Sequence, residues 1–293
     1  RDRSVSRGLG DVYKRQRKVK TKVKGFRTTD GAGVNLVRVL GNLTTKEFDP
    51  ILMLDSFDSI NPDDYTAGFP MHPHRGIETI SYVSRGKMVH RDSLGNEAGI
   101  SDGEVQWMNS GSGIMHEEMV PAAERLLGVQ LWLNLPAKDK MSKPSYNSIK
   151  NEDIKEIEIE GGKIRLLAGK YGEHEGYKGD YLSMDYYDIH LNADAEVTLT
   201  MEEDDSVMVF TLLGDVYIDG EHIEEKTAVK LTEGDSLTIK NGNEKAQVLY
   251  MNSRALNEPV AWAGPIVMNT QEELQKAFLE LRSNTFIKET AEY

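Results

Sequence analysis

The stretch from residue 69 to residue 119 carries the pattern around which the rest of the chain is organised. Segment 69–78 reads FPMHPHRGIE, and segment 109–119 reads NSGSGIMHEEM. His72 and His74 are two positions apart, and so are His116 and Glu118. Because an extended chain repeats its side-chain direction every second residue, each pair can point to one face of a β-strand. The spacing therefore predicts a metal site whose ligands come from neighbouring strands.

The composition is that of an ordinary globular protein. The 293 residues suffice for one large domain or two ordinary ones, and 39% of them are hydrophobic and 28% charged. The chain has no cysteine, which excludes disulfides, thiolate metal ligands and cysteine nucleophiles. This absence is typical of a reducing cytoplasm, where we expect the protein to reside.

Charge and hydropathy exclude two classes of partner. The formal net charge is −13, whereas binding to a phosphate backbone depends on clustered lysine and arginine. The longest apolar runs, such as PILML at 50–54, are far too short to cross a bilayer. We expect neither direct nucleic-acid binding nor a membrane span.

Residues 1–16 differ in character from the rest of the chain. They have no starting methionine, no apolar run and no hydrophobic periodicity. They read as a non-native extension and not as a targeting signal, so we exclude them from the predicted fold.

Short strands account for most of the remaining sequence. Two sets of segments are rich in Val, Ile, Leu and aromatic residues and are bounded by Gly, Asp, Asn or Pro. The first set comprises 34–40, 51–57, 78–83, 87–90, 104–108 and 127–135; the second comprises 154–159, 163–168, 181–191, 196–201, 207–212, 215–218, 228–231, 236–239 and 247–251. Such patterns predict an all-β protein of sandwich or barrel type, with domains over residues 17–136 and 152–293 joined by a polar linker, 137–151.

One helix is predicted near the end of the chain, at about 270–282. Thr270 and Glu273 form a Thr-x-x-Glu capping box, in which each side chain satisfies an otherwise unpaired backbone N–H. Leu274, Ala277, Phe278 and Leu281 follow at the spacing of a buried helical stripe. We interpret this helix as a packing element without a chemical role.

The histidines are distributed unevenly. His72, His74, His90 and His116 lie in the first half, whereas the three in the second half have no partner at ligand spacing. Imidazoles and a carboxylate without sulfur suit Fe(II), Mn, Ni, Cu or Zn. We therefore predict a metal in the first half and no comparable metal in the second.

The sequence resembles the pirin family, whose members are bicupins: two tandem jelly-roll type β-barrels with a non-haem iron in the amino-terminal one. The resemblance rests on His-Pro-His-Arg-Gly-x-Glu-Thr at 72–79, Gln-Trp-Met at 106–108 and Gly-x-Gly-Ile-x-His-x-Glu-Met at 111–119. Segments 52–57, 128–135, 214–218 and 264–270 match as well, so the resemblance covers nearly everything after about residue 18.

The resemblance implies that His72, His74, His116 and Glu118 hold Fe(II). The general cupin pattern offers Glu78 as an alternative fourth ligand, since it follows His74 by four residues and would share its strand face. We prefer Glu118, where the pirin motif places the ligand. His90, Arg75 and Gln106 are then candidates for orienting the ligands.

Two functions follow from the resemblance. One is a quercetinase-type dioxygenase that acts on a flavonol or a related small aromatic compound with dioxygen, in which Glu118 serves as general base. The other is an iron-dependent redox sensor that binds a transcription factor or a metabolic enzyme without turnover. In that second function Arg75, beside His74, would report the metal state to the partner surface.

Overall fold

The computed structural model describes residues 14–290, which form a β-rich structure with one α-helix near its end. The strands up to residue 150 are β1 (Val19–Val23), β2 (Phe26–Asp30), β3 (Val34–Leu40), β4 (Ile51–Ser59), β5 (Phe69–His74), β6 (Ile77–Arg85), β7 (Lys87–Asp92), β8 (Glu97–Ser101), β9 (Glu104–Asn109), β10 (Ile114–Met119), β11 (Leu126–Asn134) and β12 (Ser145–Ile149). Short 3-10 helices lie at Pro62–Asp64 and Ala137–Asp139.

The second half continues the same pattern of short strands. Its elements are β13 (Lys155–Ile159), β14 (Gly162–Ala168), β15 (Lys170–Tyr171), β16 (His174–Glu175), β17 (Met184–Leu191), β18 (Glu196–Thr200), β19 (Ser206–Leu213), β20 (Val216–Ile218), β21 (Glu221–Ile223), β22 (Ala228–Leu231), β23 (Ser236–Asn241), β24 (Ala246–Ser253), β25 (Ala261–Ala263), β26 (Ile266–Met268) and the helix α1 (Gln271–Arg282).

Each barrel is built from one seven-stranded and one four-stranded antiparallel sheet, and β15-β16 and β25-β26 form two further two-stranded sheets. The first half has the orders β12-β9-β6-β11-β4-β3-β2 and β5-β10-β7-β8. The second has β1-β22-β19-β24-β17-β14-β13 and β18-β23-β20-β21. The predicted all-β fold with two tandem jelly-roll barrels is confirmed.

The two barrels pack through their seven-stranded sheets. One apolar cluster contains residues of both sheets, such as Ile80 and Trp107 from the first and Phe210 and Leu249 from the second. Because side chains alternate along a strand, the opposite faces of these sheets line the two barrel interiors. The interior of the first barrel is where His74 and His116 lie.

Residues 15–23 belong to the second barrel, which corrects two predicted boundaries. β1 pairs with β22, and Val19 lies opposite Leu231. Arg17 is buried, and its guanidinium donates hydrogen bonds to backbone carbonyls, among them those of Gly234 and Thr232. Arg15 and Gln16, assigned to the non-native extension, are bonded to Asp235 and Ser236. The prediction for residues 1–13 lies outside the described residues.

The predicted linker at 137–151 is also corrected. Its residues 145–149 form β12, which pairs with β9 at the edge of the first seven-stranded sheet, with Ile149 opposite Val105. β12 and β1 occupy the same edge position in the two sheets. Hydrogen bonding of the free edge of β9 explains why this polar segment is ordered.

The end of the chain returns to the first barrel, although it was predicted as part of the second domain. Val267 packs with Leu52, Ile77 and Trp132 of the first half. The helix itself confirms the prediction: Thr270 and Glu273 form the reciprocal capping box, and Leu274 and Ala277 are buried. In the described part of the chain, no helix is long and apolar enough to span a membrane.

Candidate metal centre

Two paired strands bring three histidines together. His72 and His74 lie on β5 and His116 on β10, and the antiparallel register places His116 opposite His72. One ligand nitrogen from each of the three lies within 4.8 Å of the others. His74 and His116 are buried and His72 is partly exposed, so the group lies at the mouth of the barrel interior.

Backbone carbonyls determine which nitrogens of His72 and His74 are free. His72 Nδ1 lies 2.7 Å from the carbonyl of Pro70, and His74 Nδ1 lies 3.0 Å from that of Pro265. A carbonyl only accepts, so both Nδ1 atoms carry a proton, and in the neutral rings both Nε2 atoms present lone pairs. The two Nε2 atoms are 3.1 Å apart. Facing lone pairs at this distance repel each other unless a cation lies between them.

His116 completes the group with an unpaired nitrogen. Its Nε2 is buried and has no hydrogen-bond partner among the described residues. Burial, followed by the charges of the neighbouring histidines, lowers the pKa of His116 well below its usual value. Burial and the charge of His72 lower the pKa of His74 to about 3. Neutral imidazoles with free nitrogens are the form in which histidine binds a metal, so the group fits a divalent transition metal.

Glu118 lies beside the histidines but outside their group. It is buried on β10, and its carboxylate accepts hydrogen bonds from Gln106 and, at 3.0 and 3.2 Å, from Gln130 Nε2. Its predicted place as the fourth ligand stays a prediction. Gln106 was expected to orient ligands, and the structure places it in contact with this carboxylate.

Glu78 faces away from the histidines, which contradicts the alternative ligand assignment. It lies on β6 two residues before Ile80, whose side chain belongs to the core between the two seven-stranded sheets. Burial raises the pKa of Glu78 to about 7. A shared face would require one continuous strand from His74 to Glu78, but β5 ends at His74 and Gly76 has a φ of 81°. The alternation of faces restarts after this turn.

His90 contacts the histidine group, whereas Arg75 is hydrogen-bonded elsewhere. His90 is buried, its Nδ1 lies 3.3 Å from His116 Nδ1, and its Nε2 lies 2.7 Å from Asp92 Oδ2. Arg75 points away from the histidine group: its guanidinium donates to the carbonyls of Ser112 and Phe286 and pairs with Glu280 at 2.7 Å. Arg75 therefore fixes the end of the chain against the first barrel.

Sequence reasoning missed residues that surround the centre. Gln130 holds Glu118, Asp92 holds His90, and the ring of Tyr146 stacks on His90 at a centroid distance of 3.9 Å. Two of these had a signal in the sequence. Gln130 interrupts an otherwise apolar strand, LLGVQLWL at 126–133, and Asp92 follows His90 by two positions. Tyr146 lies in the segment predicted as a linker.

A cavity lies between the two barrels. Its volume is about 760 Å³, and Tyr82, Asp188, His190 and Gln247 are among its lining residues. The buried Asp188 carboxylate already accepts hydrogen bonds from His190 at 2.8 Å, from Gln247 at 2.8 Å and from Tyr82. We interpret these residues as a satisfied polar contact between the halves.

The family models and the known proteins that this chain resembles agree with one another. The family model described as Pirin matches residues 33–133, and that of the Pirin C-terminal cupin domain matches residues 186–287. A Pseudomonas aeruginosa protein provisionally named a quercetin 2,3-dioxygenase is 39% identical over 268 residues, covering 88% of this chain and 94% of that protein. Human Pirin is 35% identical over 277 residues, covering 91% of this chain and 93% of its own length.

A solved structure shows the same architecture. The quercetin 2,3-dioxygenase from Acinetobacter baumannii superposes with a TM-score of 0.85 at 30% sequence identity, covering 93% of this chain and 99% of that chain. The likeness therefore spans both barrels.

Proposed function

We propose, from the premise that the chain belongs to the pirin family, that its first barrel is a quercetinase-type dioxygenase. The substrate would be a flavonol or a related small aromatic compound, and the cosubstrate dioxygen. The observation that carries this proposal is the group of three histidines, each of which offers one ring nitrogen within 4.8 Å of the others. Relatives and a solved structure named for this activity support it.

His72, His74 and His116 would hold the metal through their Nε2 atoms, with Glu118 as the fourth ligand. Fe(II) is the metal implied by the family, and the donor set also suits other divalent transition metals. Bound iron would supply the redox chemistry that couples dioxygen to an aromatic substrate. The carbonyls of Pro70 and Pro265 keep two of the three rings in the ligand tautomer.

Glu118 is proposed to take the proton of the flavonol hydroxyl. A carboxylate can act as general base when it lies within hydrogen-bond reach of the substrate proton. Gln106 and Gln130 donate to its oxygens and hold the side chain in one orientation. Its location two residues after His116 keeps it on the histidine side of β10.

Oxygen consumption with quercetin tests the enzyme proposal. Iron-loaded wild type should consume oxygen, and His72→Ala and Glu118→Gln should lose this turnover while circular dichroism shows an unchanged fold. His222→Ala is the matched control, since His222 is exposed in the second barrel and pairs with Asp215. The proposal fails if the loaded wild type consumes no oxygen with any flavonol.

A second candidate function is a redox-sensing regulator in the cytoplasm. It is favoured by the contact between the centre and the end of the chain: Pro265 accepts the hydrogen bond of His74, and Arg75 binds Phe286. A change at the metal would reach segment 265–286 through these contacts and alter a surface for a protein partner. Pull-down under oxidising and reducing conditions tests this function, and equal capture in both would exclude the redox switch.

A further inference from the structure

The three histidines differ in what fixes their protonated nitrogen. For His72 and His74 it is a backbone carbonyl, which can only accept a hydrogen bond. For His116 it is the Nδ1 atom of His90, at 3.3 Å. A histidine nitrogen can donate or accept, so His90 does not by itself decide which nitrogen of His116 carries the proton.

Asp92 removes this ambiguity. Its Oδ2 lies 2.7 Å from His90 Nε2, and a carboxylate only accepts, so His90 carries its proton on Nε2. In a neutral His90 ring Nδ1 is then an acceptor, and the proton between the two rings belongs to His116 Nδ1. The Nε2 atom of His116 is left with a free lone pair, which agrees with its lack of a hydrogen-bond partner within the described chain.

The surroundings of Asp92 keep its orientation fixed. Its Oδ1 accepts from the backbone N–H groups of Leu94 at 2.9 Å and Asn96 at 3.1 Å. The side-chain amide of Asn96 donates to both oxygens, at 3.2 and 2.9 Å. His90 is stacked on Tyr146 with an interplanar angle of 11°, so its ring is held as well. Five donor contacts surround one carboxylate and leave it no freedom to turn.

We infer that Asp92 is a positioning residue that acts through His90 to select the tautomer in which His116 presents a bare Nε2 to the metal. The inference rests on the proposed function in that it takes the three-histidine group to be a metal site. It does not depend on the substrate or on turnover.

Asp92→Asn should reverse the direction of both hydrogen bonds that link Asp92 to His116 through His90. The two backbone N–H groups at Oδ1 require an oxygen there, so the new amide NH2 would face His90 Nε2. His90 would then carry its proton on Nδ1, and His116 would carry its proton on Nε2, where it blocks the metal. Positioning residues of this kind change metal affinity by about 10- to 100-fold.

The test uses the full chain with Zn(II) as the probe metal. Competition with a chromophoric chelator should show Asp92→Asn binding Zn(II) 10- to 100-fold more weakly than wild type, by the range given for such positioning residues. ¹⁵N-histidine spectra of the chelator-stripped chain should move the His116 proton from Nδ1 to Nε2, which a merely structural role of Asp92 would not do.

Asp215→Asn is the matched control. Asp215 pairs with His222 Nε2 at 2.8 Å and accepts a backbone N–H from Glu225, but it lies in the second barrel. Its variant should bind Zn(II) like wild type. If Asp92→Asn does not fold, His90→Phe decides: it keeps the stack on Tyr146 and removes the acceptor, so Zn(II) affinity should fall, though less than in a folded Asp92→Asn.

The possible outcomes distinguish the role inferred for Asp92 from the proposed metal site itself. Wild-type Zn(II) affinity in Asp92→Asn, or an unchanged His116 tautomer in a folded Asp92→Asn, would overturn the inference and leave the metal site standing. If Asp92→Asn is unfolded, wild-type affinity in His90→Phe would overturn it in the same way. Failure of the wild-type chain to bind Zn(II) at all would overturn the metal site and the inference with it.

Discussion

In the four-stranded sheet of the first barrel, β5 and β10 bring together His72, His74 and His116. In the second barrel, β18 and β23 occupy the same two places in the strand order. The side chains that this second pair directs into the second core are apolar: Val197, Leu199, Leu237 and Ile239. The same strand arrangement thus holds a polar centre in the first barrel and a continuous apolar core in the second.

The difference has an energetic consequence. The second interior is stabilised by burial of apolar surface, at about 25 cal/mol per Å². The first interior buries imidazoles and a carboxylate, which costs free energy unless each polar group is paired. Gln106, Gln130, His90 and Asp92 supply such partners. Among the described residues His116 Nε2 still has no partner, and a metal would satisfy it.

The largest expected effect comes from His116→Ala, which removes the ligand that joins the two strands of the centre. Zn(II) affinity should fall by at least about 100-fold, since this exceeds the effect of removing a residue that only orients a ligand. Chelator competition measures it. Unchanged affinity would show that the metal is not held by this strand pair.

Ile239→Ala makes the converse change in the second barrel. Deletion of a buried aliphatic side chain should lower the free energy of unfolding by about 2–5 kcal/mol, whereas metal affinity stays at the wild-type value. Urea unfolding measures the first quantity. Lys240→Ala, at the next and exposed position, is the control and should change stability by less than about 0.5 kcal/mol. Loss of metal binding in Ile239→Ala would contradict the separation of the metal site in the first barrel from the apolar core of the second.

Glu78→Gln separates the two carboxylates that compete as ligands. Burial raises the pKa of Glu78 from 4.5 to about 7. The stability contributed by its protonated form is therefore fully present below pH 4.5 and is lost as the pH rises through about 7. At pH 8 the glutamine variant should therefore be more stable than wild type by up to about 3 kcal/mol. The two proteins should converge near pH 4.5.

Metal affinity distinguishes the roles of the Glu78 and Glu118 carboxylates. Because Glu78 faces the core between the barrels, Glu78→Gln should leave Zn(II) affinity unchanged, whereas Glu118→Gln should weaken it. Weaker binding in the Glu78 variant, with wild-type binding in the Glu118 variant, would reverse the assignment made here.

Gln130→Leu is expected to have the smallest effect. Glu118 would lose one of its two glutamine donors and keep Gln106, so metal affinity should fall by roughly tenfold. Gln247→Leu is the control, because Gln247 is also a buried glutamine that donates to a carboxylate, that of Asp188, at the contact between the barrels. Equal losses in the two variants would mean that the effect is a general one on packing.

Local sequence patterns were sufficient for much of this structure. Residue composition and turn residues predicted many strands of both barrels, but not β2 or β8. Thr270 and Glu273 predicted where α1 begins. The His72, His74 and His116 grouping followed from spacing and family resemblance. These features depend on residues close together in the chain, where side-chain periodicity and capping are directly readable.

Features that depend on distant pairing could not be predicted. Nothing near Val19–Val23 signals a partner at Ala228–Leu231, so β1 was assigned to the wrong half. The pairing of β12 with β9 was missed for the same reason. The error at Glu78 was local in origin: one turn at Gly76, with positive φ, resets the strand face. Hydrogen bonds such as that of His74 to Pro265 join residues 191 positions apart.

The metal content of the full chain tests the central claim most directly. Elemental analysis of protein purified without added metal, and then of the same protein after loading with Fe(II), should give close to one metal ion per chain. The loaded His116→Ala variant should give close to none. Two ions per chain, or one ion retained in His116→Ala, would contradict a single centre built by β5 and β10.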